Sequence, residues 1–466
     1  MESHPPSEPG SPGPPAEPPA FPPEPPATPP SDPDRHPIRV VVTDDLERSR
    51  VTVFFRWLLA IPLLIWLVIW SIGAFFVAIA NWFVTLVKGR TPISLHDFFA
   101  SYVRFTTHVH AYLFLAADPY PSFSGKPGYP IDVEIDPPEP QSRWKTAFRF
   151  FLALPALILA GALIGTPGGG GGGNSNYNYD DQSGAGGWAY AFSFGSAFLT
   201  ISVLAWFASL ARGRMPHGLR DLFAYGLRYG AQAWGYLFLL TDRYPNADPE
   251  LPSAAEPEIP RPVRLVVEDD LGRSRLTVFF RFLLFLPHLV WLLLWSIAAW
   301  LAAIVNWFAT LAMGRSPAAL HRFLAAYVRY VIQVYAYLFL VANPFPGFVG
   351  APFTYPVEAR IDGPEPQARW KTLIRFILAI PAFIISGTLN GALFIVAFFG
   401  WFVALALGRM PRGYRNLGAW ALRYTAETDA YVLLLTDVFP YSGPWEFAPP
   451  SPARPEPEPG PEAAFA

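Results

Sequence analysis

Cysteine is absent from all 466 residues. That excludes disulfides, thiol nucleophiles and cysteine metal sites, and leaves the redox compartment open. Charge is also scarce, at 15%, where a soluble domain carries about 25%. The scarcity is concentrated. Between Arg56 and Lys88 lie 31 residues without one charged side chain, and between Arg281 and Arg315 the one ionisable group is His288. Runs of this length read as membrane-embedded. A net charge of −2 gives no global field that would draw nucleic acid. Residues 1–34 hold no apolar run that could serve as a cleavable signal, so the first hydrophobic segment is expected to act as its own insertion signal. No Ser/His/Asp or paired-carboxylate pattern recurs. The glycine run at 168–173 lacks the Lys-Ser/Thr of a phosphate loop and follows no strand. The expectation is therefore no catalytic residue, no cofactor, no metal and no enzyme.

What is abundant is repetition. Proline fills 14 of the first 30 positions, and residues 1–36 and 448–466 read as tails that cannot bury enough apolar surface to fold. Between them lie four copies of one unit, at 38–121, 131–245, 263–346 and 357–440. In each, an arginine stands six residues before a proline: Arg56/Pro62, Arg149/Pro155, Arg281/Pro287, Arg375/Pro381. A Trp-Phe pair follows, headed by Trp82, Trp206, Trp307 and Trp401. Seven residues on comes Gly-Arg-x-Pro, with Arg90, Arg214, Arg315 and Arg409. Fifteen residues after the glycine stands another arginine (Arg104, Arg228, Arg329, Arg423), and eight further a tyrosine (Tyr112, Tyr236, Tyr337, Tyr431). Copies one and three share Asn-Trp-Phe (Asn81, Asn306); copies two and four share Gly-Arg-Met-Pro. A unit duplicated twice accounts for both levels of likeness.

Each copy opens with five alternating residues: Ile38–Val42, Ile131–Ile135, Val263–Val267, Val357–Ile361. Alternation predicts strands, and lone strands are unstable, so the four are expected to pair in one small extramembrane sheet. Copy two carries an insertion at 165–187, glycine-rich and polar, opposite Ser71–Gly73 of copy one. A polar loop cannot sit in hydrocarbon, so a turn is expected there. Each apolar run then becomes a hairpin of two crossing helices, 54–70 and 72–87 in copy one. Eight spans follow, with a hairpin that only dips into one leaflet as the rival. Lysine and arginine cluster away from these turns, which places those ends and both termini in the cytoplasm. A third helix, 94–117 in copy one, carries a polar stripe and is expected to lie at the interface. The fold class expected is an all-α integral membrane protein: four repeats of a transmembrane hairpin plus an amphipathic interfacial helix, with one small sheet.

The Gly-Arg-x-Pro corner reads first as a helix end, a dipole-neutralising arginine and a helix start. Its arginines Arg90, Arg214, Arg315 and Arg409 are also candidates for lipid headgroups. The stripe arginines Arg104, Arg228, Arg329 and Arg423 need partners on so apolar a helix. Four residues beyond each stands a polar side chain: His108, Gln232, Gln333, Glu427. A structural network is the default for them, and a headgroup pocket or pore lining the functional reading. His288 reads as packed rather than liganding.

The combination of Arg-x5-Pro, Trp-Phe, Gly-Arg-x-Pro and the run Tyr236 to Pro245 (Tyr-Leu-Phe-Leu-Leu-Thr-Asp-Arg-Tyr-Pro) resembles a bacterial membrane family catalogued as domain of unknown function 4389. Copies one and three depart from its Thr-Asp, with Ala117-Asp118 and Ala342-Asn343. The resemblance implies a protein of the bacterial cytoplasmic membrane and supplies no activity. The function expected is a non-enzymatic scaffold or lipid-interacting protein whose partner is the bilayer and its anionic headgroups. The second reading is a transporter or channel between pseudo-symmetric copies.

Overall fold

A computed structural model describes residues 35–164, 197–249 and 261–444. The proline-rich tails and the glycine-rich insertion lie outside the described residues. Residues Met1–His36 form a unit of their own, and everything below concerns the chain from Pro37 on.

Strands form where alternation predicted them: β1 Ile38–Val42, β2 Ile131–Ile135, β3 Val263–Val267 and β4 Val357–Ile361. The pairing differs from the expected single sheet. β1 pairs antiparallel with β2, and β3 with β4, giving two separate two-stranded sheets. The expectation fails because each pair of copies closes on itself, as the contacts below show.

The apolar runs are not hairpins. In copy one a single helix, α1 Arg50–Lys88, passes unbroken through Ser71 and Gly73. Copy two divides the same path into α3 Arg143–Ala147, α4 Arg149–Ile164 and α5 Ala197–Arg212. Copies three and four restore it as α8 Arg281–Met313 and α11 Arg375–Leu407, each preceded by one short turn, α7 Arg275–Phe279 and α10 Arg369–Leu373. Without an insertion no residue demands the turn: Ser71 satisfies its hydroxyl on the Leu67 carbonyl of its own helix (2.6 Å), and Ser296 does the same with Leu292 (2.6 Å). The prolines sit inside the helices, each six residues after the copy's first arginine.

Each long helix ends at the glycine of Gly-Arg-x-Pro, in the left-handed conformation (φ 72°, 70°, 71° and 69° at Gly89, Gly213, Gly314 and Gly408), where glycine carries no Cβ penalty. A 21-residue helix follows in every copy: α2 Ile93–Leu113, α6 His217–Leu237, α9 Ala318–Leu338 and α12 Arg412–Val432. Each folds back antiparallel along its long helix, with Arg56 against Tyr112 and Trp70 against Tyr102 and Phe105. Four long-plus-inner hairpins thus replace the expected eight short spans.

Copies within a pair run antiparallel. Phe99 stacks on Phe238 while Phe114 stacks on Phe223, so α2 and α6 run head to tail. Copies two and four meet at the centre, where Tyr225 packs edge-on against Trp420 and α11 packs on α4 and α5. In α6, Gly226 and Gly230 face Phe198 and Ile164 of the long-helix path, while Gly235 on the other side faces Ile38 of β1. Along that helix the order is long helix, inner helix, sheet.

Candidate functional site

The repeated residues assemble at the C-terminus of each inner helix. The helix closes on a leucine in the left-handed region, Leu115, Leu239, Leu340 and Leu434, with φ of 59° to 65°. A branched side chain resists that conformation, and the carbonyls around this turn accept further donors. Two side chains supply the donors in every copy. The first arginine of the copy is one. Arg56 donates to the Tyr112 and Ala117 carbonyls (3.0 and 2.7 Å), and Arg281 to Tyr337 and Ala342. Arg149 and Arg375 donate to Thr241 and Thr436 (3.3 and 3.5 Å). The other donor stands eight residues earlier. Arg48 and Arg273 donate to the leucine carbonyl in the odd copies, Gln141 and Gln367 in the even ones.

The same four guanidinium groups are fully buried, and each lies over the repeated tyrosine. The separations are 4.2, 4.1, 4.4 and 4.2 Å for Arg56/Tyr112, Arg149/Tyr236, Arg281/Tyr337 and Arg375/Tyr431. Asp118, Asp242 and Asp437 add a carboxylate partner, and Asn343 an amide oxygen. The Nη groups of each buried guanidinium find carbonyls, a carboxylate or amide oxygen and a ring face, while the Nε–H in all four is buried without a hydrogen-bond partner. The repeated first arginine, the tyrosine and the Asp or Asn six residues after it therefore encode one cap. The sequence showed the intervals. It did not show that their ends meet, because the hairpin reading put arginine and tyrosine on different helices in different environments.

The Trp-Phe motif is a contact between copies. Trp82 donates its indole N–H to the Thr146 carbonyl (2.8 Å) and Trp206 to Val53 (2.8 Å). Trp307 donates to Thr372 (2.8 Å) and Trp401 to Val278 (3.0 Å). In all four cases the acceptor lies three residues before the partner copy's first arginine. The corners are reciprocal too: Arg90 bridges Pro140, Arg214 bridges Glu47, Arg315 bridges Pro366 and Arg409 bridges Gly272 through their backbones. Copy one pairs with two, and three with four, through two identical exchanges each.

The candidate headgroup arginines divide into two groups. Arg90, Arg214, Arg315 and Arg409 are exposed at the corners. The stripe arginines face the strands and loops, where backbone carbonyls receive them: Val133 for Arg104 (2.8 Å), Asp248 for Arg228, Gly350 for Arg329 (3.2 Å), Tyr441 and Gly443 for Arg423 (3.0 and 2.7 Å). Glu427 stands 3.7 Å from Arg423 and accepts the Tyr441 N–H at 2.7 Å. In copy one the groups converge. Arg90 and Arg104 line one open cleft of about 1020 Å³ with Lys88, His96 and Asp97. His288 is packed, as expected, and pairs with the Tyr330 hydroxyl (2.9 Å). Among the described residues no group of three or more His, Cys, Asp or Glu is placed to hold a metal ion.

These features define a helical repeat protein whose arginines cap helices inside and whose apolar residues face out. A family model, domain of unknown function DUF4389, matches residues 50–125, 188–247, 275–349 and 369–443. The chain belongs to that family, in four tandem copies. No curated protein and no solved structure matches.

Proposed function

We propose that this protein is a non-enzymatic, membrane-embedded scaffold that organises lipid through its long helices. One observation carries the reading. Three helices, Arg50–Lys88, Arg281–Met313 and Arg375–Leu407, are long and apolar enough to cross a membrane, and only 11% of the most apolar stretch is buried in the first two. Phe54, Leu58, Ile65, Ile69, Phe75, Phe76 and Phe83 of α1 alone are all more than half exposed. Contiguous apolar surface on this scale is a partner surface, and hydrocarbon is the partner whose chemistry matches it. The exposed corner arginines suit anionic headgroups at the ends of these helices, and the cleft holding Lys88, Arg90 and Arg104 has the charge for one. A transporter path is less supported, since the polar stripe that would line it is closed by strands and loops that take up its arginines.

Alkaline carbonate extraction of expressing cells tests the reading. The wild type is expected in the membrane pellet. Replacing Phe54, Leu58, Ile65, Ile69, Phe75 and Phe83 with Gln should move folded protein to the supernatant. A wild type found in the supernatant would overturn the proposal.

A further inference from the structure

We infer that the long helices lie along the membrane plane within one leaflet, with both sheets on the water side, rather than crossing the bilayer. The inference rests on the membrane-embedded reading above and specifies its geometry.

Three observations carry it. The first is where the charges sit along the helices. β2 packs on the middle of α2, with Val133 on Arg104 and Asp132 on His108 (2.9 Å). The outer edge of that sheet holds Arg39 with Glu134 and Asp136 (3.3 and 2.9 Å). In the second sheet, Arg264 and Asp362 remain about half exposed. The loop after α2 carries exposed Lys126 and returns along the hairpin. Trp66 donates to its Phe123 carbonyl (2.9 Å), and Gly125 seats on the backbone of Ser101 and Phe105. Were α1 upright in a bilayer, these charges would stand near mid-depth, where each costs at least a few kcal/mol. Laid in the plane, the order of long helix, inner helix and sheet runs from hydrocarbon to water.

Length is the second observation. The uncharged run from Arg56 to Lys88 has 31 residues, about 46 Å at 1.5 Å per residue, against a hydrocarbon core of about 30 Å. The third is the distribution of basic residues. Because copies in a pair run antiparallel, Arg48 and Arg50 share one end of α1 with Gly213 and Ala211, and so with Arg212 and Arg214. The other end holds Lys88 and Arg90, with Arg143 beside Gly89. Both ends of the pair are therefore basic. A crossing helix pair shows a basic excess on one side; an in-plane pair meets the same headgroup layer at both ends.

The antiparallel pair supplies the test, since Lys88 and Arg212 mark opposite ends of the long helices. Lys88→Cys, Arg212→Cys and Glu134→Cys are introduced singly into this cysteine-free chain. Each is exposed to a membrane-impermeant maleimide in intact spheroplasts and after lysis, and read on the carbonate-washed membrane fraction. In-plane helices predict one shared pattern, all three labelled before lysis or all three only after it. Opposite patterns for Lys88 and Arg212 would overturn the inference and leave membrane embedding intact. An empty membrane fraction would overturn the embedding itself. Should one variant fail to fold, Arg315→Cys and Arg409→Cys give the same comparison in the second pair.

Discussion

The long helix α1 and the inner helix α12 invert the arrangement of a soluble protein. α1 holds no charge for 31 residues and is mostly exposed. α12 carries Arg415, Asn416, Arg423, Glu427 and Asp429, and from Asn416 to Tyr431 nearly every residue is buried. In water, burying the polar helix and exposing the apolar one would forfeit the hydrophobic term twice. The inversion makes sense where the surroundings are themselves apolar. Polar groups then gather at the centre, where the protein can satisfy them, and the inner helices become the part of the chain where sequence errors are expensive.

The largest contrast this predicts is between buried and corner arginines. Arg56→Ala removes the guanidinium from the Tyr112 and Ala117 carbonyls and leaves Asp118 without its ion partner. The expected loss is on the order of 3–5 kcal/mol, read as thermal unfolding in lipid or detergent. Arg90→Ala, exposed and held through its backbone, should change stability by less than about 0.5 kcal/mol. Equal losses would break the comparison.

A smaller contrast separates odd from even copies. Asn81 donates to the Phe238 carbonyl (3.1 Å), and Thr91, ten residues on, donates to Leu239 (2.8 Å). In copy three Asn306 likewise donates to the Leu433 carbonyl (2.9 Å), and Ser316 donates to the Asn306 side-chain oxygen at 2.7 Å. In the even copies the same two positions are Ala205 with Met215 and Gly400 with Met410, and the Met410 thioether fills the space a Cβ at Gly400 would take. The pairs exchange a polar link for an apolar filling. Asn81→Ala alone should cost roughly 1–3 kcal/mol by removing the side-chain donor from the buried Phe238 carbonyl. Adding Thr91→Met should restore part of it, a coupling of about 0.5 kcal/mol or more. Strict additivity would show that the two positions do not act together.

The smallest contrast lies in the sheets. Asp132 and Glu358 occupy matching positions in β2 and β4. Burial raises the Asp132 pKa, but the His108 ring and the Gly128 and Val133 N–H groups together outweigh it, and the net shift is downward. For Glu358, in a copy where glutamine replaces that histidine, burial dominates and the shift is upward. A depressed carboxylate contributes stability above its unfolded pKa and loses it as pH falls through the lower folded value; a raised one does the reverse. Wild type should therefore lose its advantage over Asp132→Asn as pH drops below about 4. It should gain on Glu358→Gln as pH falls from neutral toward the carboxylate range. Unfolding midpoints across pH measure both, and parallel curves would remove the distinction.

Much of this was legible in the chain. The strand ranges, the repeat and the glycine that ends each long helix all follow from alternation, interval and backbone freedom. What misled was the insertion of copy two. It demands an opening in that copy, and the demand was carried to Ser71 and Ser296, whose hydroxyls bond within their own helices. From that one step follow the eight short crossings, where copies one, three and four each carry one unbroken helix through the apolar run. The cap was hidden for another reason: Arg56 and Tyr112 are 56 residues apart, and no local pattern states that an arginine will serve a distant helix end.

The central claim is that the long helices face lipid along their exposed sides while the sheets face water. Nitroxide labels at Phe75→Cys and Glu134→Cys in reconstituted protein, probed with oxygen and with a water-soluble nickel chelate, test it most directly. The account predicts high oxygen and low nickel accessibility at Phe75, and the reverse at Glu134. Nickel accessibility at Phe75 matching that at Glu134 would contradict it.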